Sequence, residues 1–123
     1  MNSINETVAN YVAAWNETDA GRRRTIIERT WSDDGTYLDH HRDGAGHAAI
    51  DQMIAAVQER FPGYRFRLCS GIEAHHGRVR FSWSAGGTDT APLFFGGTDF
   101  AVVAEDGRFR TVTGFTDATP SLT

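Results

Sequence analysis

The spacing of apolar side chains divides this chain into two parts. Up to about residue 63, apolar residues recur at intervals of three and four positions, and beyond it they alternate with polar residues. The first period predicts amphipathic helices, and the second predicts strands with one apolar face. We therefore expect a helical first half followed by antiparallel strands.

Three helices are predicted in the first half. Ser3 and Glu6 fit a capping box, which begins a helix that runs to about Thr18. Asp19 is the predicted N-cap of the second helix, with residues 22–24, all arginine, on its solvated face. The third helix ends before Pro62 and Gly63. The expected buried stripes are Ile4, Val8, Tyr11, Val12 and Trp15; Ile26 and Ile27, with Trp31 at the end; and Ile50, Met53, Ile54, Val57 and Phe61.

A short strand at residues 36–39 is predicted between the second and third helices. The segments on either side of it, residues 32–35 and 43–46, are rich in Asp and Gly, which favour turns and loops. We therefore interpret the first as a turn and the second as a loop.

The second half is predicted to form four strands joined by hairpins. The predicted strands cover residues 64–72, 78–84, 93–105 and 108 to about 117. A tight turn is expected at residues 75–77, a loop at residues 86–92, and a two-residue hairpin turn at Asp106-Gly107. Gly96-Gly97 predicts a bulge that bends its strand, and residues 118–123 form a tail. Arg65, Arg67, Arg78 and Arg80 are expected on the polar face of the sheet.

This order of elements predicts an α+β fold in one domain, residues 1–123. Three helices cannot cover a flat sheet of this size evenly. A strongly curved, mainly antiparallel sheet that wraps around the helices is the simplest arrangement. Such a cone leaves a pocket between the helices and the concave face, which is a common place for a small-molecule site.

Composition excludes several classes of function. The formal net charge of −4 argues against nucleic acid and anionic membranes as partners. All 12 basic residues are arginine, which excludes a lysine Schiff base and a P-loop. Cys69 is the single cysteine, so no internal disulfide forms, and it has no neighbouring base that would make it a nucleophile. No secretory leader or membrane span is evident, and we expect a cytoplasmic protein.

At this point the chain resembles a known superfamily over residues 11–117. The order of elements resembles the cystatin-like cone of the nuclear transport factor 2 (NTF2) superfamily, and the sequence is similar to its SnoaL-like branch of polyketide cyclases. The resemblance implies a small-molecule ligand or substrate and a homodimer, and no cofactor is expected. The motifs that carry it lie at residues 11–16, 35–39, 61–63, 75–83, 97–100 and 106–108.

The ketosteroid isomerases of this superfamily are similar at three positions. Their helical tyrosine falls on Tyr11, their basic aspartate on Asp39, and their buried aspartate of the oxyanion hole on Asp99. The resemblance implies that Asp39 abstracts a proton next to a carbonyl while Tyr11 and Asp99 stabilise the enolate. Here His40 and His41 follow Asp39 in place of a proline, and the more polar stretch disfavours a steroid-like ligand.

Structural alternatives stay open for each candidate. Asp39 could cap the following loop, Asp99 could pair with an arginine, and Tyr11 could be a core residue. His40, His41 and His47 with Asp39 and Asp43 could suggest a metal, but adjacent residues on a strand point to opposite faces, so no metal is expected. One inward histidine is expected to assist Asp39, and His41 is our candidate. The predicted pocket lining is Trp15, Tyr37, Met53, Val57, Phe66, Leu68, Phe81 and Trp83.

The sequence thus predicts an isomerase or cyclase that works by proton abstraction. The alternative is a binding module of the same fold that holds a small apolar ligand and does no chemistry.

Overall fold

A computed structural model describes residues 2–87 and 94–117 of the chain. The predicted loop at residues 86–92 and the tail at residues 118–123 fall largely or wholly outside the described residues. The elements in chain order are α1 (Ile4–Asn16), α2 (Ala20–Thr30), β1 (Trp31–Leu38), β2 (Asp43–Ala45), α3 (His47–Arg60), β3 (Arg65–Leu68), β4 (Glu73–His75), β5 (Arg78–Gly86), β6 (Phe94–Val103) and β7 (Phe109–Thr116).

The helix starts follow the predicted caps. The amide of Glu6 donates to Ser3 Oγ at 3.1 Å, and the amide of Ser3 donates to Glu6 Oε1 at 3.3 Å, which completes the capping box. Asp19 Oδ2 accepts from the amide of Arg22 at 2.9 Å. Each cap gives an otherwise unpaired amide of the first turn a hydrogen-bond partner. No helix among the described residues is long and apolar enough to cross a membrane.

The prediction of a wholly solvated arginine run is wrong for Arg23. Its side chain is buried, with Nε 2.7 Å from Asp51 Oδ1 and Nη1 3.0 Å from Gln58 Oε1. A buried guanidinium needs such partners because an unpaired charge away from water is costly. Arg23 therefore ties α2 to α3, while Arg22 and Arg24 are exposed as predicted.

The segment around β1 is more regular than predicted. The strand begins at Trp31 and includes the predicted turn, with a register shift between Trp31 and Thr36. At Gly35 a Cβ would lie only 2.8 Å from the Cβ of Trp31, so the glycine lets the strand bulge beside a fully buried indole. The predicted loop at residues 43–46 instead contains β2, which pairs antiparallel with β1.

One mixed sheet forms the second layer of the fold. Its strand order is β2-β1-β7-β6-β5-β3, and β4 also pairs with β5. The β1–β7 pair is parallel and the others are antiparallel. Three helices pack on this curved sheet, which confirms the predicted α+β cone.

The predicted bulge at Gly96-Gly97 is wrong. The β5–β6 ladder runs through both glycines and the β6–β7 ladder begins at Gly97, with no register shift at either, and the irregularity lies between Val102 and Val103. Close packing explains the second glycine, since a Cβ at Gly97 would lie 2.6 Å from the carbonyl oxygen of Phe115 and 2.9 Å from Trp83 Cζ2. Gly97 therefore makes room for an indole over the concave face.

Both predicted turns are present, but the prediction of one strand over residues 64–72 is wrong, because β3 and β4 are separate strands that each pair with β5, which gives five strands in the described part of the second half. The turn at residues 75–77 joins β4 to β5, with positive φ angles of 49° at His76 and 73° at Gly77. Asp106 and Gly107 join β6 to β7, but the strands end at Val103 and restart at Phe109, so the connection is longer than two residues.

The two faces of the sheet differ in character. The concave face and the helices enclose the apolar core, which includes Trp31, Phe81 and Phe109. The convex face carries the four predicted exposed arginines on β3 and β5, and Arg80 pairs with Glu73 at 2.6 Å. It also exposes three apolar side chains that the sequence analysis did not predict there, Leu38, Phe100 and Phe115.

Candidate active site

A cavity of about 190 Å³ lies between the helices and the concave face of the sheet. Aromatic side chains make most of its wall, and two carboxylates and one guanidinium supply its charged groups. It is lined by Tyr11, Val12, Trp15, Tyr37, Asp39, His41, Arg42, Val57, Phe61, Phe66, Trp83, Phe95, Asp99 and Thr116.

Asp99 on β6 is the more deeply buried of the two carboxylates. Only 1% of its surface is exposed. The hydroxyl of Tyr11 donates to Asp99 Oδ2 at 2.5 Å, and Trp83 Nε1 donates to Oδ1 at 3.1 Å. No described arginine pairs with it. Asp99 therefore takes both of its side-chain hydrogen bonds from aromatic residues of the cavity wall.

Burial shifts the proton equilibria of this pair. Loss of hydration raises the pKa of Asp99 to about 6, although the Tyr11 and Trp83 hydrogen bonds act in the opposite direction. The charge of Asp39 raises it further. Burial and then the charge of Asp99 raise the pKa of the Tyr11 phenol well above its usual value. Tyr11 is thus a hydrogen-bond donor at neutral pH.

Asp39 lies just beyond the end of β1, and its side chain is 5% exposed. The hydroxyl of Tyr37 donates to Oδ2 at 2.7 Å, and the amides of His41 and Arg42 donate to Oδ1 at 2.8 and 2.9 Å. Arg42 Nη1 lies 3.6 Å from Oδ2. The carboxylate both caps the turn that follows β1 and lines the cavity.

Gly114 on β7 brings the two carboxylates together. Asp99 is paired with Gly114 across β6 and β7, and the β1–β7 register ends with Leu38 opposite Thr113, one residue earlier. A Cβ on Gly114 would lie 2.8 Å from Asp99 Oδ1 and 3.5 Å from Asp39 Cβ. Only a residue without a side chain leaves this gap open. A glycine on the apolar face of a predicted strand was the available signal for it.

Five of the eight predicted lining residues do line the cavity, and three do not. Met53 and Phe81 are buried in the core, at 8% and 1% exposure, where other side chains cover them. Leu68 is 38% exposed because β3 is the edge strand of the sheet. Those that line it are Trp15, Tyr37, Val57, Phe66 and Trp83.

Five residues that line the cavity were not predicted from the sequence. Two of them, Val12 and Phe61, belong to the predicted apolar stripes of their helices, so periodicity alone could have suggested them. Arg42 had a weaker signal, its position three residues after Asp39, which suits a turn closed by the aspartate side chain. The full set is Val12, Arg42, Phe61, Phe95 and Thr116.

The histidines are dispersed. His41 is exposed and lines the cavity, while His40 is exposed with its ring 5.9 Å from that of Phe115. His47 bonds the carbonyl of Trp31 at 2.8 Å. Within residues 2–87 and 94–117, no group of three or more His, Cys, Asp or Glu side chains is arranged to hold a metal ion.

The fold and its cavity define an NTF2-like, cystatin-like protein. An NTF2-like protein of unknown function from Exiguobacterium has a TM-score of 0.74 and 19% identity over 92% of this chain and 99% of that chain. A candidate SnoaL-like polyketide cyclase from Jannaschia has a TM-score of 0.70 and 14% identity over 90% and 85% of the two chains. At these identities the likeness concerns the fold alone.

One solved structure is similar enough in sequence to show the family of this chain. A candidate isomerase of the SnoaL-like family from Agrobacterium tumefaciens is 38% identical, over 91% of this chain and 95% of that chain, with a TM-score of 0.84. The chain therefore belongs to the SnoaL-like family. No protein-family model matches the sequence, and no curated protein does.

Proposed function

We propose that this protein is a cofactor-independent isomerase or cyclase that abstracts a proton next to a carbonyl group of a small molecule. The observation that carries the proposal is the pair of carboxylates, Asp39 and Asp99, held in different environments on one cavity. Where two carboxyl groups differ in this way, the better hydrated or better bonded one serves as the base and the buried one as the acid.

Asp39 is the base in this scheme. Its hydrogen bonds with two backbone amides favour a carboxylate, which can only accept, and they hold it in one orientation. Oδ2 accepts one hydrogen bond, from Tyr37, and a carboxylate oxygen has a second lone pair that can take the substrate proton. A base positioned in this manner contributes about a hundredfold to ten-thousandfold in rate.

Asp99 and Tyr11 stabilise the developing negative charge on the substrate oxygen. When Asp99 is protonated it no longer requires the proton of Tyr11, and both groups can donate to that oxygen. The raised pKa of about 6 supports a carboxyl that holds a proton more readily than an exposed aspartate. Expulsion of water by a bound substrate strengthens this tendency.

The proton balance of the reaction is simple. Asp39 removes a proton from the carbon beside the carbonyl, and the electron pair moves to the carbonyl oxygen as an enolate. In an isomerase the same proton returns to a different carbon, which leaves the enzyme unchanged. In a cyclase the enolate carbon attacks a second carbonyl within the substrate, and the new alkoxide takes the proton back.

The test uses 3-cyclohexenone, a small unsaturated ketone whose conversion to the conjugated isomer is followed by ultraviolet absorbance. Wild type is expected to accelerate the conversion, and Asp39→Asn is expected to lower the rate by about a hundredfold or more. Asp43→Asn, at an exposed aspartate outside the cavity lining, is the matched control and should retain the rate. Full activity in Asp39→Asn would overturn the assignment of the base.

A non-catalytic binding module is the second candidate, and the turn-capping hydrogen bonds of Asp39 favour it. In that case wild type gives no turnover, and ligands raise the melting temperature of wild type and of Asp39→Asn equally.

We also propose a homodimer, supported by the three exposed apolar residues on the convex face. Exposed apolar area on one face is a common mark of an interface. Light scattering should give twice the mass of the chain, and Phe115→Asp should reduce it to that of a monomer.

A further inference from the structure

The accessible charge of the cavity is opposite in sign to its buried charge. Asp99 is 1% exposed and the Asp39 side chain 5%, and donors of the protein occupy both. The Arg42 side chain, by contrast, is 30% exposed, and His41 beside it is exposed. A ligand that enters the cavity therefore meets the cationic guanidinium of Arg42, and not the two carboxylates, on the accessible side.

Among residues 2–87 and 94–117, the guanidinium of Arg42 has unused hydrogen-bonding capacity. Its only charged neighbour among the described residues is Asp39, at 3.6 Å, which is beyond good hydrogen-bond distance. No described residue accepts a hydrogen bond from this side chain. An arginine has five N–H donors in a planar fork that matches a carboxylate, and here the fork is available to a ligand.

The rest of the wall restricts the body of the ligand. Aromatic rings line the same cavity as Arg42 and the Tyr11–Asp99 pair, among them Trp15, Phe66 and Phe95. The volume of about 190 Å³ is small beside the pockets of drug-sized ligands. A flat, unsaturated molecule of one or two rings suits both the aromatic wall and this volume.

We propose that Arg42 anchors a carboxylate of the substrate, so that the substrate class is small unsaturated or aromatic carboxylic acids. This inference rests on the proposed function only for the orientation of the ligand in the cavity. In that orientation the reacting carbonyl lies toward Tyr11 and Asp99. The anchoring step itself is a binding event and involves no chemistry.

Charge balance does not decide the sign of the ligand: with Asp99 protonated, Asp39 and Arg42 balance each other, and an anion or a cation would each add one net charge. The competing occupant is a cation, because aromatic walls with carboxylates also suit amines. The exposed fractions favour the anion, since the Arg42 side chain is 30% exposed, whereas the Asp39 side chain is 5% and Asp99 1% exposed.

Three probes of the same shape and different charge test the proposal. They are trans-cinnamate, the neutral trans-cinnamamide and the cationic cinnamylamine, with affinities measured by isothermal titration calorimetry on the full chain. Wild type is expected to bind cinnamate roughly tenfold more tightly than cinnamamide, as befits one charge-assisted contact. Cinnamylamine should bind most weakly.

Substitutions of two arginines test whether Arg42 is responsible for the preference for cinnamate over cinnamamide. Arg42→Gln should abolish the preference for cinnamate and leave the affinity for cinnamamide unchanged. Arg42→Lys should retain part of it, because it keeps the charge and loses the fork. Arg110→Gln makes the same charge change at an exposed arginine outside the cavity lining and should behave as wild type.

The outcomes separate this proposal from the proposed function. Equal affinity for cinnamate and cinnamamide, tighter binding of cinnamylamine, no binding of any probe, or an unchanged preference in Arg42→Gln would each overturn the anchor. A preference that depends on Arg42 in a protein without isomerase activity would support the anchor while the catalytic proposal fails.

Discussion

Asp39 and Asp99 are the same residue type on the same cavity, and their surroundings differ in kind. Asp39 is held by the turn that follows β1, whose backbone amides donate to it. Asp99 lies inside β6, where the ladder uses the backbone and only the side chains of Tyr11 and Trp83 remain to bond it. The secondary structure that carries an aspartate therefore decides which donors reach it.

This difference has a consequence for the charge of each group. Backbone amides belong to the turn and cost little to align, so they stabilise a carboxylate at the end of a strand. Side-chain donors only partly replace the hydration that Asp99 loses, and the pKa of Asp99 rises as a result. Two identical residues on one cavity are thus held by different kinds of donor, and burial raises the pKa of Asp99.

The largest expected effect is on the pH dependence of stability. Because the pKa of Asp99 is raised from 3.8 to about 6, the native state binds this proton more tightly than the unfolded chain does. The stabilisation of the native state by this proton is therefore complete below pH 3.8 and is lost as pH rises through about 6. The Asp99→Asn variant lacks this carboxyl group. The free energy of unfolding of wild type relative to that of the variant should therefore fall by about 3 kcal/mol across this range.

Urea unfolding of both proteins at about pH 4 and about pH 7.5 measures this change. Asp43→Asn serves as the control for removal of a carboxyl group at an exposed position. Stability curves of wild type and Asp99→Asn that run parallel with pH would contradict the assignment of a raised pKa to Asp99.

A methyl group between the two carboxylates should be the next largest effect. In Gly114→Ala the new Cβ would lie 2.8 Å from Asp99 Oδ1 and 3.1 Å from the Tyr37 hydroxyl oxygen. Overpacking of this kind costs about 2 kcal/mol, which chemical denaturation would detect. At Gly71 a Cβ meets nothing within 4 Å, so Gly71→Ala should be close to neutral. Equal stability of the two variants would mean that the site is not closely packed around Gly114.

Removal of the two tyrosine hydroxyls compares the environments of the two carboxylates directly, and its effects are equal to or smaller than that of Gly114→Ala. Tyr11→Phe removes one of the two donors to Asp99 and should cost about 2 kcal/mol at neutral pH, because a buried carboxylate loses its partner. Its cost should shrink at acidic pH, where Asp99 is protonated. Tyr37→Phe should cost about 1 kcal/mol, since Asp39 keeps two backbone amides.

Urea unfolding at both pH values also checks this pair. A larger cost for Tyr37→Phe than for Tyr11→Phe would reverse the comparison between the two carboxylates.

The sequence predicted correctly those features that depend on residues close together in the chain. Ser3, Glu6 and Asp19 begin their helices as predicted, because capping depends on neighbours within one turn. Trp31 and Arg23 were misjudged for the opposite reason, since the strand start and the buried ion pair depend on α3 and on distant strands. The bulge predicted at Gly96-Gly97 failed because glycine also serves close packing, here against Trp83.

The same limit applies to the candidate site. Periodicity identified an inward Tyr11 and Trp15, and the resemblance pointed to Asp39 and Asp99. No periodic pattern could indicate that Arg42 turns toward the cavity, because it lies in a turn. Periodicity also could not distinguish Phe81, which lies in the core, from Trp83, which lines the cavity, because both occupy the same face of β5.

The sequence by itself determined the helix caps, the change from helical to strand period, and the residue types available for acid–base chemistry, because each depends on short-range physics. The tertiary structure decided that Asp39, just beyond the end of β1, lies beside Gly114 on β7 and Asp99 on β6. It also decided that the arginine run predicted to be solvated contains a buried ion pair. Strand order and helix packing bring together residues far apart in the chain, and those contacts set the hydration, and hence the protonation, of each carboxylate.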